Sequence, residues 1–312
     1  MSDRLLVGIC TYRRDSIAET LDSLRATSDC GLDVEIAVAD NDLAPSARPL
    51  VARHAAGHPM TVTYLHAPCA NISIARNALL DHAYRNGFRL LVYIDDDQRV
   101  RQDTLPALVA AWRAGAGAVL GTVLADYGSD TPEWMLRARP HDTRPQRGSD
   151  GACRWGYTGN NLADLADPAW AGRRFDLSHG RSGGEDTAWF AGYLAAGGRL
   201  VHAPEAIVDE QIPPDRARLS WLLRRRYRMG HTHASLGMRG KGVKARASAA
   251  AVAGAKMVAC LGLAAAGGIP ARRNPQLMRA CLHAGVAAHL LGARQISLYG
   301  GNGGEAKETD HA

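Results

Sequence analysis

The sequence has no CxxC pair, no apolar leader and, across residues 216–304, no acid. Each absence excludes something. The six cysteines (Cys10, Cys30, Cys69, Cys153, Cys260 and Cys281) are scattered, which speaks against a zinc site or a disulfide scaffold and suits a reducing compartment. Residues 5–10 form an apolar stretch too short for a secretory core, with no basic segment before it, so a cytoplasmic location is expected. The missing acid is the most informative of the three. Residues 216–304 carry fifteen Lys and Arg, whereas residues 1–215 carry 28 acidic against 21 basic side chains. The net charge of +6 averages over this division. A long basic segment free of acid calls for an anionic partner: nucleic acid, phospholipid headgroups or a pyrophosphate-linked substrate. Aromatics are also scarce there, Trp221 and Tyr227 alone falling within residues 216–246. Stacking platforms for nucleic acid are therefore few, and no nucleic-acid partner is expected.

What is present points to an α/β domain. Apolar residues make up 46% of the chain, enough for a sizeable core. Strand-like segments at 5–9, 34–39, 61–65 and 90–94 alternate with helical spacing at 16–25, 44–56 and 73–84, the pattern of a parallel sheet with crossover helices. Such sheets bind ligands beyond the C-terminal ends of their strands. Residues 126–161 are rich in Gly, Pro, Asp and Arg and read as long loops, a common place for function. A Gly-rich stretch at 180–186 leads into a helix at 187–196, and Pro213-Pro214 breaks the chain. The organisation expected is a catalytic domain over 1–215, a basic helical region over 216–300 and a disordered tail over 301–312.

Four constellations carry chemistry. Asp95-Asp96-Asp97 follows the buried strand 90–94, where three adjacent carboxylates repel one another unless solvated or neutralised. Mg²⁺ or Mn²⁺ would do this and bridge them to phosphate, although an acidic surface turn has the same composition. Asp40-Asn41-Asp42 ends a neighbouring strand and offers a carboxylate to a nucleobase or ribose, or simply makes an Asx turn. In Asn71-Ile72-Ser73-Ile74-Ala75-Arg76-Asn77, Arg76 is placed to reach a pyrophosphate or base, or lies on a solvated face behind a capping Asn71 or Ser73. Gly183-Gly184-Glu185-Asp186 gives a tight turn at a helix start. A carboxylate there could serve as general base or merely complement the helix dipole.

In this order, the four resemble the motifs of family 2 glycosyltransferases of the GT-A fold, in particular a bacterial exopolysaccharide branch. Ile9-Cys10-Thr11-Tyr12-Arg13-Arg14 is similar to the family's opening strand and loop, with Cys10 where Pro is common. Gly159-Asn160-Asn161 resembles the loop before its acceptor region, and Gly184-Glu185-Asp186 its ED motif. The resemblance covers about residues 4–230 and implies an inverting transfer from a nucleotide-diphosphate sugar. It implies donor contacts from Thr11, Tyr12, Arg14, Asp40 (to the base), Arg76 and Asp95 (to the ribose), and metal binding by Asp97. Asp186 would be the base, with Asn160 and Glu185 on the acceptor side. A further metal ligand is placed at Glu210, with His202 as the other candidate. The QxxRW motif of processive relatives is absent and Leu222-Leu223-Arg224-Arg225-Arg226-Tyr227-Arg228 stands in its region, which implies one sugar added per acceptor.

Two other expectations remain. Gly180-Arg181-Ser182-Gly183-Gly184 formally matches the G-x-S-x-G elbow of serine hydrolases, a motif that needs a buried strand before it. Residues 247–269 are apolar but dominated by Ala and Gly and interrupted by Lys256. A peripheral helix on an anionic inner membrane face, beside a lipid-linked or saccharide acceptor, is preferred to a spanning one.

Overall fold

The computed structural model describes residues 3–180, 183–238 and 240–293; the expected disordered tail and Ser182 lie outside them. Among the described residues, the first half of the chain runs β1 (Arg4–Thr11), α1 (Ile17–Leu24), β2 (Asp33–Asp40), α2 (Arg48–Ala55), β3 (Thr61–His66), α3 (Ile72–Arg85) and β4 (Leu90–Asp95). It continues through β5 (Gln98–Val100), α4 (Thr104–Arg113), β6 (Ala118–Tyr127), α5 (Glu133–Ala138), β7 (Asn161–Asp164), α6 (Glu185–Ala195) and β8 (Leu200–Ile212). Three helices follow: α7 (Leu219–Gly237), α8 (Val243–Ala266) and α9 (Pro270–Leu290).

The eight strands form one sheet in the order β3-β2-β1-β4-β7-β6-β8-β5. Leu5, Leu6, Val7 and Ile9 of β1 and Leu90 to Ile94 of β4 are all buried, as central strands covered on both faces must be. The helix α1 turns Ile17, Leu21 and Leu24 inward. Parallel pairing sets Cys10 beside Asp95, Thr11 beside Asp40 and Asp40 beside His66. The C-terminal ends of β1, β2 and β4 therefore finish level, and the acidic motifs meet there. The sheet is mixed rather than wholly parallel, because β7 and β5 run antiparallel to their neighbours. The loop expected over 126–161 contains α5 and is tied down by bridges between Val123 and Thr143 and between Arg147 and Cys153.

The few aromatics are concentrated under α6. Phe175 stacks on Trp189 at 4.6 Å, Trp189 on Trp170 at 4.0 Å and Trp170 on Tyr193 at 3.9 Å, with Tyr93 of β4 edge-on to Trp189. Offset aromatic pairs add to the area they bury, so this column fixes the helix whose first turn holds Glu185 and Asp186. The loop before it packs against α7. A Cβ on Gly183 would lie 1.7 Å from Arg228 Nη1, and one on Gly184 2.5 Å from Thr232 Cγ2; both glycines have positive φ. In turn α7 meets α9 backbone to backbone, since a Cβ on Gly230 would sit 1.9 Å from the Leu282 carbonyl oxygen.

His141 straps the long loop to α7. It is buried; the Tyr127 hydroxyl donates to its Nδ1 (2.9 Å) and its Nε2–H donates to the Arg216 carbonyl (3.2 Å), while the ring stacks on Trp221. Burial, with Arg225 nearby, pushes the imidazole down from 6.5 to about 4. The unfolded chain thus takes up this proton before the folded one does. The stabilisation is complete above pH 6.5 and drains as pH falls towards about 4, by up to about 3 kcal/mol. Urea unfolding across this window should show a steeper loss of stability for the native chain than for His141→Gln; equal slopes would overturn the strap.

Candidate functional site

The strand ends at Thr11, Asp40 and Asp95 open onto a cluster of acids and arginines. Asp96 points inward, accepting from Thr11 Oγ1 (2.8 Å) and Arg14 Nη1 (2.9 Å). Arg14 Nη1 also reaches Asp97 Oδ2 at 2.5 Å, and Arg216 Nη1 lies 3.7 Å from the same oxygen. Asp95, whose side chain is 42% exposed, is left facing outward. Its backbone N–H donates to Gln98 Oε1, and Gly159 packs so closely that a Cβ there would lie 2.6 Å from Asp95 Oδ2. Of the triplet, Asp96 is the anchor, held inward beneath Asp95 and Asp97.

The carboxylates carry unfavourable charge. Asp95 is pushed up to about 7, first because the protein around it limits its hydration even though the side chain reaches the surface; Arg76 opposes this, while Asp97, Glu210 and Asp96 add to it. Asp96 is raised by burial against the pull of Arg14. Glu210 is raised by burial and by Asp97, with Arg225, Arg216 and Arg14 opposing. A divalent cation would relieve this repulsion. Among the described residues no group of three or more His, Cys, Asp or Glu forms a metal cage. A cation that acts on a diphosphate needs one or two carboxylates and takes its other oxygens from phosphate and water. The carboxylates of Asp97 and Glu210, both oxygen donors, fit that requirement.

A second acidic turn faces the first across Arg76. Asn71 caps α3, accepting from the Ser73 N–H and donating to the Leu177 carbonyl. One turn later Arg76 is buried rather than solvated. Its Nη1 ion-pairs with Glu185 Oε1, and its Nη2 lies 3.9 Å from Asp95 Oδ1. Glu185 is buried and raised, by burial first, while Arg76 lowers it. Asp186 is partly exposed, and its Oδ1 accepts from the Thr187 N–H and hydroxyl.

Several expectations change. Asp40 is fully buried and already accepts from the Asp42 N–H, the Ala47 N–H and the Tyr64 hydroxyl. It anchors the turn and is closed to direct contact with a base. Thr11 is buried and spent on Asp96, so it supports the donor site without lining it. Asn160 is fully buried with φ +79°, and its amide donates to the carbonyls of Thr122 and Ala206. That pins β7 to β6 and β8 and removes it from the acceptor side. Glu185, held by Arg76, leaves that side too. His202 pairs with Leu120 and hydrogen-bonds Thr122, whereas Glu210 pairs with Ala125, five residues or roughly 17 Å further along β6; Glu210 is the one whose charge feels Asp97. His231 is structural, hydrogen-bonding the Ala293 carbonyl. Residues 177–179, before the hydrolase-like stretch, form a 3₁₀ turn rather than the strand an elbow requires.

Arg216 and Arg225 were not singled out from sequence. Arg216 follows the last strand and Arg225 lies in α7, and both oppose the rise of Glu210. The signal was there as the arginines spread over 216–228, which begin six residues after Glu210.

Comparison with known proteins agrees with this geometry. The family model "Glycosyl transferase family 2" matches residues 6–180. The succinoglycan biosynthesis protein ExoM of Rhizobium meliloti (strain 1021) is 44% identical over 299 residues, covering 94% of this chain and 95% of that one. Among solved structures, the mannosyltransferase PcManGT from Pyrobaculum calidifontis, in complex with GDP-Man and Mn²⁺, superposes with TM-score 0.59 at 20% identity, covering 93% of this chain and 89% of that one. S. aureus TarS 1-349 in complex with UDP-GlcNAc gives 0.52 at 13%, covering 93% and 92%. This chain spans 39% of a longer TarS structure. The solved structures share the fold, GT-A. By the family match and the ExoM identity, the chain belongs to glycosyl transferase family 2.

Proposed function

We propose that this enzyme transfers a sugar with inversion from a nucleotide-diphosphate sugar to an acceptor hydroxyl, in the synthesis of a bacterial exopolysaccharide or other cell-surface glycan. The observation that carries the reading is the buried Arg76, which joins the outward-facing Asp95 to the Glu185-Asp186 turn. Donor-binding and proton-accepting carboxylates thereby sit on opposite sides of one fixed cation. The kinship with a succinoglycan biosynthesis protein supports the class of product.

In this reading Tyr12, 41% exposed beyond the end of β1, presents a ring to the base, and Asp95 takes the ribose. Asp97 would hold Mg²⁺ or Mn²⁺, with Glu210 beside it. When bound, the cation supplies positive charge for the departing diphosphate. Arg14 and Arg216, which now neutralise Asp97, turn to the phosphate oxygens. The acceptor oxygen forms its bond to the anomeric carbon as the bond to the diphosphate breaks, and the hydroxyl proton passes to Asp186. Since Glu185 is paired with Arg76, Asp186 is the carboxylate of that turn free to act. The acceptor is lipid-linked or a saccharide, reached from the cytoplasmic side of an anionic membrane to which the enzyme is peripherally bound.

Two experiments test these roles. Asp97→Ala should abolish Mn²⁺-dependent tightening of nucleoside diphosphate binding in calorimetry, and transfer with it; unchanged metal-dependent affinity would remove Asp97 from the metal. Asp186→Asn should keep donor affinity while initial rates fall by about two to four orders of magnitude. Glu185→Gln is the control. If it is dead while Asp186→Asn turns over, the base is Glu185; if both are active, this turn only shapes the site.

A further inference from the structure

The helix α8 is built inside out. Ala249, Ala250, Ala253, Met257, Cys260 and Ala264 recur at helical spacing on the side turned to the protein, while the branched apolar residues point away. Val252 is 51% exposed, Val258 64%, Leu261 45% and Leu263 58%. A surface helix of a soluble protein normally does the reverse. This outer face runs along a 24-residue helix whose most apolar 18-residue stretch has a mean hydropathy of 1.8, and an exposed apolar face of that extent marks an interaction site.

The charge around it selects the partner. Lys241 and Lys244 precede the face, Arg272, Arg273 and Arg279 follow it on α9, and no acid occurs across 216–304. Lys256 is the one charge between residues 247 and 269. At helical spacing it stands between Val252 and the inward-facing Ala249, Ala253 and Cys260, at the edge of the apolar face nearer α9, where it adds to the burial that holds His283 down. Apolar surface rimmed by cations fits anionic lipid headgroups over acyl chains.

The attachment selects the orientation. The helix α8 packs along α9, and α9 packs along α7, with Gly285 against the Tyr227 backbone and Gly230 against that of Leu282. A spanning α8 would draw α9 and its three arginines into the hydrocarbon, at roughly 2.5–3.5 kcal/mol for each cation near the centre. An in-plane α8, about 36 Å long, leaves α9 and α7 in water and sinks only its outer face. We infer that α8 lies in the plane of an anionic membrane with this face in the headgroup–acyl boundary, and that α9 and α7 rigidly connect it to Arg216 and Arg225 at the donor site. The inference deepens the peripheral-membrane part of the proposed function and uses no step of sugar transfer.

The test uses the full chain with vesicles and no donor or acceptor, so its failure is separable from a failure of the transferase reading. The protein should float with phosphatidylglycerol-containing vesicles at low salt and little with pure phosphatidylcholine. Leu261→Ser/Leu263→Ser should weaken partitioning about tenfold or more, and Lys241→Gln/Lys244→Gln should weaken it comparably at low salt only. Nucleoside diphosphate binding and Tm should stay unchanged in both. Depth is read from Val252→Trp, Val258→Trp and Leu263→Trp, taking the emission difference from the parent and quenching with lipids brominated at shallow or deep positions. Equal shallow quenching at all three supports the in-plane helix. A depth gradient along the three overturns it in favour of a span, and no flotation overturns the membrane. A dimer in light scattering that Leu261→Ser/Leu263→Ser dissociates, without vesicle binding, assigns the face to a second copy instead.

Discussion

A buried guanidinium holds the two halves of this site together. Arg76 is carried on α3, the crossover between β3 and β4, and α3 packs against the sheet strands. Its partners come from β4 and from the first turn of α6. A charge at that depth costs several kcal/mol unless paired, so the chain must bring Glu185 to it. Much of the surrounding structure serves that meeting. The aromatic column from Tyr93 to Tyr193 fixes α6, Asn71 clasps the loop ahead of it, and Gly183 and Gly184 let the turn press against α7. Asp186 is then oriented as a by-product of its neighbour's pairing, one residue further round the helix.

The same reasoning explains the arginines at Asp97. Carboxylates at the end of β4, with Glu210 from β8, form a cluster that the protein only partly neutralises. Arg14 and Arg216 supply positive charge from two elements far apart in sequence. Guanidinium is a good placeholder here, since it pairs with carboxylate and phosphate by the same geometry. In the proposed function, the charges of an arriving diphosphate and its cation meet opposite charges already in place.

The sequence carried the first half of the fold well. Strands at 5–9, 34–39, 61–65 and 90–94 were legible because each is a short apolar run between turn residues, and each lies within an observed strand. β6 and β8 were not picked out. Their apolar residues are interrupted by Gly121, Pro204 and Glu205, and the strands pair through a register shift near Leu120 and Thr122 that no local pattern announces. At the site, motif order located Asp95, Asp97, Arg76 and the Glu185-Asp186 turn, but not which way each side chain faces. Asp40 and Asn160 have the residue types of ligand contacts, yet both are fully buried and bonded to the surrounding turn and strands. Burial of that kind is a property of the assembled sheet. Arg216 and Arg225 were hidden differently: their charge was visible, but only the folded chain brings it to Asp97 and Glu210.

In the proposed transfer, Asp97 exchanges guanidinium for metal when the donor binds. Crystals grown with a nucleoside diphosphate and Mn²⁺, measured at the manganese edge, show whether this exchange occurs. The expected result is an anomalous peak bonded to an Asp97 oxygen and to diphosphate oxygens, with Arg14 and Arg216 moved from Asp97 onto phosphate. A diphosphate held by the arginines with no manganese at Asp97, or manganese bound elsewhere, would contradict it.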